Sequence, residues 1–362
     1  MKANAEPVLV TGGAGFIGSN LAHRLASTGR RVRILDSLAR SGVEDNVRWL
    51  RESHDGLVEV VIDDVRDANA LVRATRGVSA VFHLAAQVAV TSSLVDPTSD
   101  FEVNARGTLN VLEAARSQPS PPAVFLTSTN KVYGALDDLD LQLQGERYLP
   151  AHAATRRHGI AESRPLDFNS PYGCSKGAAD QYVLDYARSF GLETAVLRMS
   201  CIYGPRQFGT EDQGWVAHFL LRALRGEPIT IFGDGCQVRD VLYVDDLVDA
   251  MQRLLAHPAR FAGRAFNIGG GPQNAISLND LLAQIGAMTG CVPRTHYGPP
   301  RTGDQRYYVS DTRAFRRACA WRPRVQARDG VQRLYEWLRT RTPARTAHGA
   351  AQRPADLAEV TR

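Results

Sequence analysis

The chain has 362 residues, 44% of them hydrophobic and 22% charged, which excludes a largely disordered or fibrous protein and leaves room for about two domains. Its 43 Lys and Arg against 38 Asp and Glu give a net charge of +5, scattered without a basic block, so an ordinary surface with sites for anions is expected and no nucleic-acid groove. Five cysteines, Cys174, Cys201, Cys236, Cys291 and Cys319, form no CxxC pair, so neither a metal site nor a disulfide framework is expected.

Val8-Leu9-Val10 reads as a buried strand running into Gly12-Gly13-Ala14-Gly15, after which Phe16, Ile17, Leu21 and Leu25 recur along one helical face. Further strands are expected at 32–35 (ending on Asp36), 58–62, 80–85, 123–126 and 194–197, with helical patterns between most of them, among them 107–115 and 178–190. Strands separated by helices need crossover connections. The fold class is therefore α/β, a Rossmann-type doubly wound parallel sheet covered on both faces. Residues 135–169 are polar and turn-rich and read as a long loop over a site.

Beyond about residue 200 the pattern is too irregular to continue the sheet. Strands at 229–232, 238–244 and 265–268 and helices at 245–255 and 278–288 read as a smaller mixed domain. The division expected is 1–200 for the sheet domain, with segments around 236–260 returning to it, and 201–340 for the second domain. Residues 343–362, rich in Ala, Arg and Thr without periodicity, read as a disordered tail. The N-terminal residues lack the apolar core of a secretory signal and no stretch could span a bilayer, from which a cytoplasmic protein with no membrane partner is expected.

Thr11-Gly12-Gly13-Ala14-Gly15-Phe16-Ile17-Gly18 sits between a strand and a helix, the context a dinucleotide fingerprint requires. Gly12 and Gly15 let the backbone turn and approach a pyrophosphate, Gly18 lets the helix pack close, and the helix N-terminus offers free N–H groups. Asp36 ends the next strand, where its carboxylate would accept from an adenosine ribose and repel a 2′-phosphate, so the cofactor expected is NAD. Downstream, Tyr172 and Lys176 stand four residues apart, on one helical face. A free phenol has a pKa of about 10 and is a poor base at neutral pH. A neighbouring ammonium favours the phenolate, so the pair can take a hydroxyl proton as hydride leaves. Thr129, beside Ser128 after the fifth strand, lies at the carboxyl edge where such sheets bind ligands and can relay that proton.

These residues resemble the extended short-chain dehydrogenase/reductases of the NAD-dependent epimerase/dehydratase family, which modify nucleotide sugars. The likeness spans residues 8–337. It is carried by 128–134 (Ser-Thr-Asn-Lys-Val-Tyr-Gly), 170–182 around Tyr172 and Lys176, Tyr203-Gly204-Pro205-Arg206-Gln207-Phe208 followed by 212–216, and Gly303-Asp304-Gln305-Arg306. Within the family these stretches resemble most the branch that inverts C2 of CDP-hexoses. The resemblance implies catalytic places for Thr129, Tyr172 and Lys176. It implies cofactor places for Gly12, Gly15, Phe16, Ile17, Asp36, Asp64, Val65, Leu84, Asn104, Tyr172 and Lys176. Substrate places fall on Asn130, Lys131, Arg206, Gln207, Arg239, Arg301 and Asp304. Gln237-Val238-Arg239-Asp240 and Arg301 match segments that hold the nucleotide diphosphate in relatives, a task that suits the planar fork of arginine. Met199-Ser200-Cys201-Ile202 departs from the Phe-Asn pair often found before Tyr-Gly-Pro in the wider group.

Dehydratases of this family carry an Asp-Glu pair after the catalytic threonine, where this chain has Asn130 and Lys131. An epimerase needs no such pair: it oxidises a carbinol, lets the ketosugar present its other face, and returns the hydride. The resemblance thus implies C2 inversion of CDP-paratose, to CDP-tyvelose, or of a related CDP-hexose. A 4-epimerase acting on a UDP- or CDP-hexose and a non-catalytic NAD-binding module are the alternatives. It also implies a homodimer or homotetramer formed through helices flanking the sheet, with 178–190 as a candidate interface, although an apolar face there serves a core equally well.

Overall fold

In the computed structural model, which describes residues 6–301 and 303–341, seven parallel strands form the main sheet. They are β1 (Val8–Thr11), β2 (Val32–Asp36), β3 (Val58–Ile62), β4 (Ala80–His83), β5 (Ala123–Thr129), β6 (Thr194–Met199) and β7 (Arg264–Ile268). Their order is β7-β6-β5-β4-β1-β2-β3, with the direction of winding reversing beside β1. Alternate residues of each strand serve opposite faces. Val8, Val10, Phe82 and Phe125 pack with the helices Phe16–Ser27, Val43–Ser53 and Val244–Ala256, and Leu9, Val81, Val124 and Leu126 with Gly107–Arg116 and Ser170–Phe190. Burial on both faces explains why these strands read as continuous apolar runs.

Three expectations need correction. The strand expected at 265–268 does not belong to the smaller part: it is β7, at the edge of the main sheet. Of the segments around 236–260 expected to return to the sheet domain, the helix Val244–Ala256 does pack on the main sheet, whereas the strand Val238–Tyr243 pairs with Cys201–Tyr203, Ala275–Ser277 and Tyr307–Tyr308 in a separate small sheet. Residues 135–169 hold an antiparallel hairpin, Leu141–Gln144 with Arg147–Pro150, and a short helix, Ala153–His158, and none of them lines the main cleft. The tail at 343–362 lies outside the described residues. A second apolar core joins Val216, Phe219, Leu220, Ile231, Leu281, Ile285, Val331 and Leu334 above the carboxyl ends of the strands.

The helix expected at 178–190 starts at Ser170, so Tyr172 and Lys176 lie inside its first two turns. It is locked to the sheet by a buried ion pair. Arg198 of β6 donates to both oxygens of Asp180 at 2.8 Å, and the two side chains are 5% and 0% exposed. The same guanidinium donates to the Tyr133 hydroxyl at 3.1 Å, which in turn donates to Asn267 of β7 at 2.8 Å. Removing one partner of such a pair leaves a charge buried and uncompensated. Asp180→Asn is expected to cost about 3 kcal/mol or more, read as a lowered midpoint of urea unfolding; an unchanged midpoint would show that the pair is not what fixes this helix.

Candidate active site

A single cleft of about 970 Å³ runs across the carboxyl ends of the strands. At one end it is lined by Gly12, Gly15, Phe16, Ile17, Asp36, Asp64, Val65 and Leu84, in the middle by Thr129, Tyr172 and Lys176, and at the far end by Asn130, Lys131, Gln207, Arg239, Arg301 and Asp304. All four residues of the departing segment 199–202 line it as well.

At the first end the chain is built for close approach. Gly12 has φ +68°, and a Cβ there would stand 2.7 Å from the Ala85 nitrogen. A Cβ on Gly18 would stand 2.3 Å from the Gly12 carbonyl oxygen. Only glycine satisfies both contacts. The helix Phe16–Ser27 has no side-chain cap, so its first-turn N–H groups are left for a ligand at the cleft. Asp36 accepts from the backbone nitrogens of Ala14 at 3.0 Å and Leu38 at 2.9 Å, which fixes its carboxylate at the end of β2. These residues fit a dinucleotide. Asp64 is engaged by Arg66 at 2.8 Å, and that bond holds its carboxyl below the usual range.

Asn104 does not line the cleft and is 1% exposed. Its amide, presented by the π-helical turn Glu102–Arg106, accepts from Gln87 N and donates to Gln87 O, Asp100 and Ser175. It holds the cleft residue Gln87 and the helix Ser170–Phe190 from behind, and so supports the cleft wall without facing the cleft.

In the middle, Thr129, Tyr172 and Lys176 are 8%, 7% and 4% exposed. Burial pushes the Tyr172 phenol up to about 12, while the Thr129 hydroxyl bonded to it and the Arg40 charge act in the opposite direction. Lys176 donates to the Thr127 carbonyl at 2.7 Å. Arg40 was not foreseen. It lines the cleft within reach of the charges of both Asp36 and Tyr172, and its only sequence signal is a basic residue four positions after the strand-end aspartate. His83 beneath the site is a neutral bridge between the Thr11 and Thr108 hydroxyls, at 2.7 and 3.1 Å, and burial pulls its pKa down to about 3.

At the far end one carboxylate serves two cations. Asp304 accepts from Arg239 at 2.7 Å and Lys131 at 3.3 Å. Burial raises its pKa, but the two cations outweigh burial and hold it below the usual range. Asn130 donates to Gln305 at 2.7 Å. Arg301 lies 3.9 Å over the Phe232 ring and pairs with Glu211 and Asp212. Gln237 and Arg239 face the cleft while Val238 and Asp240 are buried away from it, the two-residue period of a strand. The expectation that fails is Arg206: it does not line the cleft but lies over the Trp49 ring on the outer side of the sheet domain. Among the described residues no group of three or more His, Cys, Asp or Glu is placed to hold a metal ion, and no helix is long and apolar enough to cross a membrane.

Residues 8–269 match the model of the NAD dependent epimerase/dehydratase family. The chain is 44% identical over 337 residues to a CDP-paratose 2-epimerase of Salmonella typhi, covering 91% of this chain and 98% of that protein. It is similar to the crystal structure of a Thermus thermophilus UDP-glucose 4-epimerase in complex with NAD (TM-score 0.76, 34% identity, 92% and 99% of the two chains). It is also similar to a dTDP-glucose 4,6-dehydratase of Streptomyces venezuelae solved with NAD bound (TM-score 0.78, 30% identity, 92% and 97%).

Burial pulls the Lys176 ammonium from the ordinary 10.5 to about 8, against the pull of Asp180 and Asp100. The unfolded chain therefore binds more protons than the folded one between these values, so stability rises with pH across that window and the full penalty is felt below it. Lys176→Met should raise the thermal midpoint of the cofactor-free protein at pH 7, with the gain shrinking as pH approaches 10. A lower midpoint for the variant at pH 7 would contradict this.

Proposed function

The chain belongs to the NAD dependent epimerase/dehydratase family, and from that premise we propose that it inverts C2 of a CDP-hexose, CDP-paratose in the first place, to give CDP-tyvelose. When bound, NAD would supply the hydride acceptor and donor that inversion of a carbinol carbon requires. Gly12, Gly15, the first turn of Phe16–Ser27, and Asp36 hold that cofactor, with Arg40 beside them. Thr129 bonds the reacting hydroxyl and passes its proton to Tyr172, whose phenol must first be brought down from its buried value by positive charge. Lys176, anchored on the Thr127 carbonyl, holds a cation one helical turn from that phenol. On the reverse half of the cycle Tyr172 returns the proton to the sugar oxygen.

The observation that carries an epimerase over a dehydratase is the state of the carboxylate nearest the sugar end. Eliminating water calls for an acid and a base beside the sugar, and the two residues after Thr129 are an amide tied to Gln305 and an ammonium tied to Asp304. Asp304 itself is clamped by Lys131 and Arg239, whose charges hold its carboxyl below the usual range, the opposite of what a general acid needs. The choice of C2 and of a CDP-sugar is supported by the 44% identity to a CDP-paratose 2-epimerase. Arg239 and Arg301, lining the far end, suit a diphosphate.

We assign the protein to the cytoplasm and read it as a homodimer or homotetramer. Exposed Val95, Phe101, Tyr182 and Phe190 on the helices 90–101 and 170–190 support that reading.

Incubated with CDP-paratose and no added cofactor, the purified protein should form CDP-tyvelose and leave UDP-glucose unchanged; UDP-galactose formed from UDP-glucose would move the inverted centre to C4. Tyr172→Phe should lower kcat by about 10²- to 10⁴-fold with NAD still bound on release by acid. Unchanged turnover would remove Tyr172 from the chemistry.

A further inference from the structure

Arg206 stands where the chain turns from the strand Cys201–Tyr203 back toward the cleft, and its φ is +69°, the left-handed region that a residue with a side chain occupies only when its surroundings enforce it. What enforces it lies on the outer side of the sheet domain. The guanidinium sits 3.3 Å over the centroid of Trp49, and its Nη1 donates to Asn46 at 3.4 Å. His23 also stacks on Trp49, its ring 4.5 Å away at an interplanar angle of 27°, and is hydrogen-bonded to His54 at 2.8 Å. Asn20 donates to the Pro205 carbonyl at 3.1 Å. The helices Phe16–Ser27 and Val43–Ser53 thus grip residues 205 and 206 through a layered cation–aromatic stack, and Arg206 is 8% exposed.

The next residue faces the other way. Gln207 lines the cleft and is 9% exposed. Its Nε2 donates to the Ile202 carbonyl at 3.1 Å, and its Oε1 is buried with no protein partner. Gly214, at φ +77°, closes over it so tightly that a Cβ there would stand 2.7 Å from Gln207 Nε2. Gly214 opens the helix Trp215–Arg225, whose first residues Trp215, Val216, His218 and Phe219 also line the cleft. A continuous set of contacts therefore runs from Trp49 through Arg206 and Gln207 to the start of that helix.

We propose that Arg206 is a positioning residue for the nucleotide-sugar end of the site: its stack on Trp49 and His23 holds the left-handed turn that aims Gln207 and seats the first turn of Trp215–Arg225 against the substrate. The proposal rests on the reading of this cleft as a nucleotide-sugar site. It assigns Arg206 no contact with substrate, and it makes the outer surface of the cofactor domain part of what sets sugar affinity.

Arg206→Gly tests it, because glycine relieves the left-handed strain while removing the stack. Trp49→Leu removes the same stack while keeping an arginine, with its intrinsic left-handed strain, at position 206. Each variant should raise the KM of the turned-over nucleotide sugar about tenfold or more, with kcat within about threefold of wild type and the bound NAD unchanged. Arg206→Lys, which keeps the charge without the planar face, should show the same rise. The double variant should be no worse than either single one, since both remove one interaction. A purely structural role predicts a lowered thermal midpoint with KM unmoved, and that result overturns the proposal. Loss of NAD or a fall in kcat with KM unchanged also overturns it. The dissociation constants of CDP and UDP, measured by calorimetry on the same proteins, separate the two readings. Failure of wild type to bind CDP removes the nucleotide assignment, whereas equal binding of the preferred nucleotide diphosphate and equal KM in wild type and Arg206→Gly remove the positioning role.

Discussion

The bidentate pair between Arg198 and Asp180 is the constraint on which the site depends. Two ions taken out of water hold a structure only if their geometry is good and further hydrogen bonds support it, and here Nη1 of Arg198 also donates to Tyr133, which donates on to Asn267. The consequence is mechanical. Arg198 belongs to β6, Asp180 to the helix that carries Tyr172 and Lys176, and Tyr133 to the turn directly after Thr129, so one buried cluster ties together the elements that carry the Thr129 hydroxyl, the Tyr172 phenol and the Lys176 ammonium. Lys176 closes the same loop from the other side through the Thr127 carbonyl.

Around that rigid centre the two ends of the cleft are charged in different ways. The cofactor end presents backbone N–H groups, the fixed carboxylate of Asp36 with Arg40 near it, and the paired Asp64 and Arg66. The far end presents three cations against three carboxylates: Lys131 and Arg239 divide that of Asp304, and Arg301 pairs with Glu211 and Asp212. In the proposed reading a diphosphate competes with these carboxylates for the cations, which they hold in place until it binds. The two residues that follow Thr129, Asn130 and Lys131, bring no carboxyl group, which fits a chemistry that moves a hydroxyl proton and a hydride.

Much of this was legible in the amino-acid sequence because it depends on local rules. The strands of the main sheet read as apolar runs since both their faces are covered, and the Gly12 to Gly18 loop has glycine where a Cβ would strike backbone. What escaped depends on contacts distant in sequence. β7 looked like part of the second domain because its place is set by pairing with β6, which lies some seventy residues earlier. The hairpin at 141–150 carries mostly exposed or half-buried side chains, which leave a weak apolar signal. The first turns of the catalytic helix were hidden by Pro171, Gly173 and Gly177; at Gly177 the reason is the Phe168 ring, 2.3 Å from where a Cβ would be. Arg206 was misplaced because a motif fixes the position of a residue along the chain and not the sign of its φ. Asn104 is buried behind the wall it supports, which no spacing reveals.

The central claim is that this cleft inverts a sugar carbon by removing one hydride and returning it after the bound ketosugar has turned to present its other face. Proton NMR of CDP-paratose incubated with the purified protein in deuterated water, without added cofactor, tests it most directly. The account predicts that the coupling at C2 changes from one configuration to the other and that no deuterium enters the sugar. Deuterium appearing in the sugar would show an enolised intermediate and contradict it, and an unchanged spectrum from protein shown to contain NAD would contradict the assignment of CDP-paratose.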